Sequence, residues 1–227
     1  YSVMDRLKAR HPGVEIESCS GGGGRGDLAM LERVEQVWTS DNTEAFDRLR
    51  IQEGFTMAYT PKVMMAWVTD VPNMNGRVTP LRYRFITAMQ GSLGIGVTLS
   101  HWSEADNKLA AEMIGYYKRV RHSVQEGRLY RLLSPSETDA AVNEYVARDG
   151  RQVVVFASRH SQQYLRALPT IRLRGLVPEA VYRIDRLDDR LVDKQQTLSG
   201  AALMERGLTF DLKGDFDATA VLLERVE

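Results

Sequence analysis

The chain has 227 residues, 43% of them hydrophobic, which is enough apolar material for one large packed domain or two modest ones. Thirty basic residues balance thirty acidic ones, so a net charge of zero leaves no electrostatic footprint for nucleic acid, and no dense Lys/Arg patch alters that. A single cysteine excludes an intramolecular disulfide and fits a reducing cytoplasm, and neither a signal peptide nor an apolar stretch of membrane-spanning length is present.

The chain opens on Tyr1 and not on an initiator methionine, and is expected to be the back part of something longer. Met4 to Arg10 reads as the end of a helix stopped by His11-Pro12-Gly13. Two short strand-like runs follow, Val14-Ile16-Cys19 and Val34-Val37-Trp38, and each delivers polar residues where it stops. Between them lies Gly21 to Gly24, open on composition to three readings: a flexible linker, a phosphate-cradling loop or a tight loop against a sugar. The phosphate reading fails, because no Lys-Ser/Thr follows and no G-x-G-x-x-G pattern opens a helix. Glycine is needed wherever backbone approaches a ligand closely. Cys19 reads either as a small buried hydrophobe or as a site residue, and Asp27, past the loop, as structural. Asp41 stands at capping-box spacing from Glu44, so it can open a helix that carries Ala45, Phe46 and Leu49 on one face and stops near Gly54.

A third strand is expected from Val63 to Val68, with an exit from Thr69 to Arg77 rich in turn formers. Trp67 within it reads as core or as a stacking platform, core being the commoner fate of the residue. Thr79-Pro80 has the form of a cap followed by proline at the first helical position, opening a helix that ends at Gly91. Ser103 with Asp106 opens the next helix, where Leu109, Met113, Tyr116 or Tyr117, and Val120 recur on one buried face. Lys118 to Arg121 reads as the solvated end of that helix. His101 and His122 are isolated, without a second ligand at metal spacing, so no metal site is expected. From about Ser136 apolar runs alternate with turns: Val142 to Ala147, a hairpin turn at Asp149-Gly150, Val153 to Ala157, Thr170 to Leu173, Val181 to Ile184, Leu208 to Leu212 and Ala218 to Leu223. Strands this short and this frequent predict an antiparallel β-sandwich, with a boundary near Leu133 to Glu137.

Two words of this sequence, Cys19-Ser20-Gly21-Gly22-Gly23-Gly24-Arg25 and Trp38-Thr39-Ser40-Asp41-Asn42-Thr43, resemble the α-galactosidases of glycoside hydrolase family 36. The second continues as Phe46-Asp47-Arg48-Leu49-Arg50-Ile51-Gln52-Glu53-Gly54. Further matches are Pro72-Asn73, Gly76-Arg77-Val78-Thr79-Pro80-Leu81, Gly91-Ser92-Leu93-Gly94 and Tyr130-Arg131-Leu132-Leu133-Ser134-Pro135, so the resemblance covers most of the chain. Gly26 stands where the family usually has an aromatic residue, and Trp67 where relatives commonly have histidine.

The resemblance implies an α/β part over residues 1–135, the C-terminal portion of a (β/α)8 TIM-type barrel, followed by an all-β antiparallel β-sandwich domain over 136–227. A complete barrel takes roughly 250 residues, more than the first part supplies. It also implies retaining hydrolysis of terminal α-linked galactose from oligosaccharides such as melibiose and raffinose, with Asp41 as the acid/base. Cys19, Ser20, Gly21 and Gly22 would contact galactose hydroxyls. The nucleophile would be an aspartate at the end of an earlier strand, upstream of residue 1, leaving the fragment alone inactive. No metal or organic cofactor is implied; the partner is an α-galactoside oligosaccharide, and the intact enzyme a homo-oligomer. An α-N-acetylgalactosaminidase or a galactosyl-transferring relative is an alternative, as is a non-catalytic carbohydrate-binding module. Cys19 and Asp41 are expected at the same end of two adjacent parallel strands, with the glycine loop folded over that end.

Overall fold

The computed structural model describes residues 1–164 and 166–226. Its first part alternates helices with very short parallel strands. Helix α1 (Ser2–Arg10) ends at His11, as the Pro-Gly pair after it requires. Strand β1 (Glu17–Ser18) leads into a single turn, α2 (Ser20–Gly23), and a second single turn, α3 (Leu28–Leu31), before β2 (Gln36–Val37). Asp27 caps α3, accepting the Met30 N–H at 2.9 Å, which together with the Tyr1 hydroxyl holds its carboxyl below the ordinary carboxylate range. The structural reading of Asp27 therefore stands.

Helix α4 (Ala45–Ala58), a 3-10 turn over Pro61–Val63 and β3 (Met65–Thr69) come next, then α5 (Leu81–Ala88), β4 (Ser92–Gly96) and α6 (Glu104–Glu126). β1 pairs with β2 and β3 with β4, all parallel, and a parallel bridge from Val37 to Met64 joins the two pairs. The four strands thus lie side by side in chain order with their C-terminal ends together.

Three helix expectations are corrected. Asp41 does not cap α4: Glu44, 2% exposed, is the N-cap, and its carboxylate accepts the N–H groups of Phe46 and Asp47. A carboxylate at the first turn satisfies orphan donors and meets the positive end of the helix dipole, and Glu44 is the one whose backbone enters the helix. The helix also runs past Gly54 to Ala58, because that glycine faces open space and its interior cost of about 1 kcal/mol is outweighed by packing of Ala45, Leu49 and the buried Gln52. In α5 the proline is itself the N-cap, with extended ψ, and the first helical residue is Leu81. Thr79 gives no side-chain cap bond, and its hydroxyl is buried without a partner among the described residues.

Helix α6 follows expectation at its start. Ser103 and Asp106 form a reciprocal capping box, and Met113, Tyr116, Tyr117, Val120 and Val124 recur at three- and four-residue spacing as its buried face. Lys118 and Arg119 are exposed on the opposite face, in mid-helix and not at its end.

The second part is one antiparallel sheet of six strands: β5 (Arg128–Leu133), β6 (Ala140–Val146), β7 (Gln152–Arg159), β8 (Val181–Arg186), β9 (Thr197–Ser199) and β10 (Asp217–Val226). Their order across the sheet is β5-β6-β7-β10-β8-β9. Period-two alternation assigns the faces. Ala141, Tyr145, Val154, Phe156, Ala220 and Leu222 pack with Phe85 and Ile86 of α5, Met89 at its C-cap and Met113 of α6, in one core that runs continuously from the first part into the second. Val142, Val146, Val153, Val155, Val221 and Leu223 pack on an opposite layer, to which Ile171, Leu173, Leu176, Leu191, Leu208 and Phe210 contribute together with Leu203 of helix α7 (Gly200–Glu205). That layer holds the predicted runs at 170–173 and 208–212 as isolated antiparallel bridges, Ile171 to Leu208 and Leu191 to Phe210. Among the described residues no helix is long and apolar enough to cross a membrane.

Candidate active site

The site is built where β1 and β2 stop. Ser18 is buried at the end of β1, and its hydroxyl donates to the Arg25 carbonyl at 3.0 Å, closing the loop between them. Ser20, Gly21, Gly22 and Gly23 all take positive φ, from 50° to 90°. Three of these four successive left-handed positions are glycine, the residue that meets no Cβ penalty there.

This turn lays the loop directly on the exit of β2. A Cβ on Gly22 would lie 2.8 Å from Asp41 Oδ2 and 3.2 Å from Asp41 N, and one on Gly23 would lie 2.6 Å from the Trp38 carbonyl oxygen. Gly22 and Asp41 are therefore in contact, on the same end of two parallel strands. Cys19 and Ser20 stand exposed on the rim of the same loop, so the cysteine is not a buried hydrophobe.

These distances give a graded test. Gly23→Ala forces a methyl into backbone at φ 90° and is expected to cost roughly 2–4 kcal/mol of stability. Gly21→Ala, at φ 69° but with nothing within 4 Å, is expected to cost about 1–2 kcal/mol. Equal losses in thermal unfolding of the two variants would mean that the loop does not rest on the strand exit.

Asp41 is exposed, and its Oδ1 accepts a hydrogen bond from Trp38 Nε1 at 2.8 Å. The Trp38 ring leans on Trp67 of β3, centroids 5.5 Å apart and planes tilted by 48°. Trp67 in turn covers Gly94 and Gly96 of β4, where a Cβ would come within 2.7 and 3.1 Å of the indole. The Trp67 N–H is buried with no acceptor among the described residues. Below, the Thr39 hydroxyl donates to the Met65 carbonyl at 3.2 Å, and the buried Arg48 guanidinium donates to the same oxygen. Burial pulls the Arg48 pKa down to about 10.

Beside Asp41 lies a hollow of about 270 Å3 lined by Asp41, Asn42, Glu44, Asp47, Asn73 and Met74. Its other carboxylates are engaged. Glu44 caps α4 and pairs with Arg77, and Asp47 accepts from Asn42 Nδ2 at 2.8 Å and lies 3.5 Å from Arg77. Arg77 thereby ties the β3 exit loop to the start of α4. A larger crevice, about 950 Å3, lies between α5 and residues 188–218, away from these strand ends. Arg82 pairs with Asp188, and Arg190 with Asp188 and Asp217, so ion pairs run along it. Among the described residues no cluster of His, Cys, Asp and Glu could hold a metal ion.

Sequence reasoning brought Asp41 and the glycine loop together but missed Trp38 as the residue that holds the Asp41 carboxyl. Its signal was present, a donor-only side chain three residues before a carboxylate at one strand exit.

The family model described as Melibiase matches residues 1–127, and that of the glycosyl hydrolase family 36 C-terminal domain matches residues 140–223. The chain is 39% identical over 226 residues to α-galactosidase C of Emericella nidulans, covering 99% of this chain and 29% of that protein. It is 40% identical over 188 residues to α-galactosidase AgaA of Geobacillus stearothermophilus, covering 82% of this chain and 26% of that one. The crystal structure of AgaA superposes with a TM-score of 0.92 at 36% identity, over 100% of this chain and 31% of that chain. An AgaA variant in complex with raffinose superposes with a TM-score of 0.92 at 35% identity, over 100% of this chain and 31% of that chain. The chain thus spans about three tenths of the length of the relatives it matches.

Proposed function

The chain belongs to glycoside hydrolase family 36, and from that premise we propose that it is the C-terminal portion of a retaining α-galactosidase, with Asp41 as its acid/base. One observation carries the reading. The Asp41 carboxyl stands at a parallel strand exit, held by an indole N–H and overlain by the glycine loop, while Glu44 and not Asp41 caps the helix behind it.

The parallel order of β1 to β4, with helices between them, supports reading residues 1–135 as units of a (β/α)8 barrel, in which reacting groups sit at the C-terminal strand ends. Residues 136–227 form the sandwich domain, whose sheet also takes in β5. A retaining glycosidase needs two carboxyl groups about 5–5.5 Å apart. Glu44 and Asp47 are committed elsewhere, so we assign the nucleophile to an aspartate in the remainder of the full-length protein. Asp41 first protonates the leaving oxygen and then, as the carboxylate, takes a proton from the attacking water. Cys19, Ser20, Gly21 and Gly22 turn backbone and side-chain polar groups toward the galactose hydroxyls, with no metal or organic cofactor in the step. Its substrates are terminal α-galactosides such as melibiose and raffinose, a reading supported by the raffinose complex of the similar AgaA variant. Homo-oligomeric assembly and a cytoplasmic site of action complete the reading.

The full-length protein is expected to release galactose from melibiose and raffinose, first as the α-anomer, whereas the 227-residue chain alone does not. Anomer-resolved NMR of the first product checks both. Preference for an N-acetylgalactosaminide, or transfer to sucrose, would move the protein to a neighbouring specificity, and sugar binding without turnover would make it a binding module.

A further inference from the structure

We propose that Trp38 is a positioning residue for the acid/base step: its indole N–H orients the Asp41 carboxyl so that Oδ1 stays an acceptor and the transferable proton resides on Oδ2. The proposal rests on the assignment of Asp41 made above.

An indole nitrogen can only donate. In the neutral carboxyl the carbonyl oxygen is the better acceptor, so the bond from Trp38 Nε1 to Oδ1 assigns the O–H to Oδ2. Oδ2 is the oxygen that faces Gly22, 2.8 Å from where a Cβ would stand. The missing side chain leaves that oxygen open to the space between the glycine loop and the strand end. Asp41 is exposed, and an exposed carboxyl without such a bond samples several rotamers, each needing to be ordered before a proton can pass.

Trp38 is itself held. Its backbone N–H donates to the Ser18 carbonyl at 2.7 Å, and its ring rests on Trp67, which fills the space above Gly94 and Gly96. The line from β4 through β3 to β2 thus fixes the donor before substrate arrives, which is where positioning lowers a barrier. In the step itself the nucleophile's carboxylate bonds to the anomeric carbon as the glycosidic C–O bond breaks with its electron pair going to the leaving oxygen, and that oxygen takes the proton from Oδ2. In the return step water attacks the anomeric carbon, the bond to the nucleophile breaks with its pair returning to that carboxylate, and Oδ2 takes the water's proton. The indole proton is never transferred.

The decisive variant, made in the full-length protein, replaces Trp38 by benzothienylalanine, which keeps the bicyclic ring and exchanges the N–H for sulfur; Trp38→Phe accompanies it. Two substrates are compared. The glucose leaving group of melibiose would depart as an alkoxide without the proton and so needs it, whereas dinitrophenolate leaves without one. With benzothienylalanine, kcat/KM on melibiose is expected to fall about tenfold to a hundredfold, the range of one charge-assisted hydrogen bond, while the first-turnover burst of dinitrophenol changes by less than about threefold. Equal losses on both substrates, or a loss confined to Trp38→Phe with benzothienylalanine indistinguishable from wild type, would make Trp38 a packing residue and overturn the proposal. A wild-type protein with no α-galactoside turnover would overturn the assignment of Asp41 and this proposal with it.

Discussion

Asp41→Ala in the full-length protein is expected to give a burst of phenol on an aryl α-galactoside with a very acidic phenol, followed by slow turnover. Such a leaving group needs little protonation, so the glycosyl-enzyme still forms, and its hydrolysis stalls for want of a base. On melibiose, which needs the proton in the first step, the loss is expected to be about 10²- to 10⁴-fold. Azide needs no base. It is expected to restore turnover of the aryl galactoside and to yield the α-galactosyl azide, because two inversions retain the configuration.

The competing account of Asp41, a helix cap, predicts about 1 kcal/mol of lost stability and an unchanged dependence of rate on leaving group. The cap is Glu44, with both carboxylate oxygens on the first-turn N–H groups, so the variant should also keep nearly all of its thermal stability. Near-normal turnover of natural galactosides, with neither burst nor azide product, would remove the catalytic assignment.

Where the sequence was legible, the signal was local chemistry. Ser103 and Asp106 announce a capping box because both partners lie within one turn, and no other pair competes for that helix start. At the start of α4 Asp41, Asn42 and Thr43 are all preferred cap types and yet Glu44 is the cap, so side-chain type alone cannot say where the backbone turns helical. Strand exits were readable from the turn residues beyond them, but strand lengths were not. The runs 14–19 and 34–38 keep only two paired residues each, because neighbouring backbone is diverted into the glycine loop and into the segment that carries Asp41.

β4 was missed as a strand. Gly94 and Gly96 erase its alternating pattern, and the reason for them, an indole lying across the strand, belongs to a residue 27 positions earlier than the first of them. β5 was missed because its Arg128, Tyr130 and Arg131 mask a sheet edge that only pairing with β6 defines. The layer that faces the six-stranded sheet is legible as apolar runs but not as irregular backbone, since a run of Ile171 to Leu173 reads the same whether it forms a ladder or a single bridge.

Raising the pH from 5 to 8 is expected to loosen the second part of the chain through one residue, Glu144. Its carboxyl lies on β6 with 0% exposure, between Val142 and Val146 on the face packed against the layer of Ile171, Leu173, Leu203 and Leu208. Oε2 accepts the Arg174 N–H at 2.8 Å, and Oε1 has no partner among the described residues. Burial pushes its pKa up to about 8, against the smaller opposing pull of the Arg174 N–H and charge. The unfolded chain titrates near the ordinary 4.5. Between those values the folded state alone holds the proton, so unfolding releases it. The stability is therefore complete below about 4.5 and is lost as pH rises through the folded value, at about 1.4 kcal/mol per pH unit. Hydrogen exchange of the β6 and β7 amides, corrected for the intrinsic pH dependence, should report a fall of roughly 4 kcal/mol in opening free energy between pH 5 and pH 8. Glu144→Gln keeps an acceptor for Arg174 and cannot ionise, so its protection should match wild type at pH 5 within about 1 kcal/mol and stay level to pH 8. Parallel pH dependence in the two proteins would mean that Glu144 reaches water or a partner when charged, and that another group sets the acid preference of this sheet.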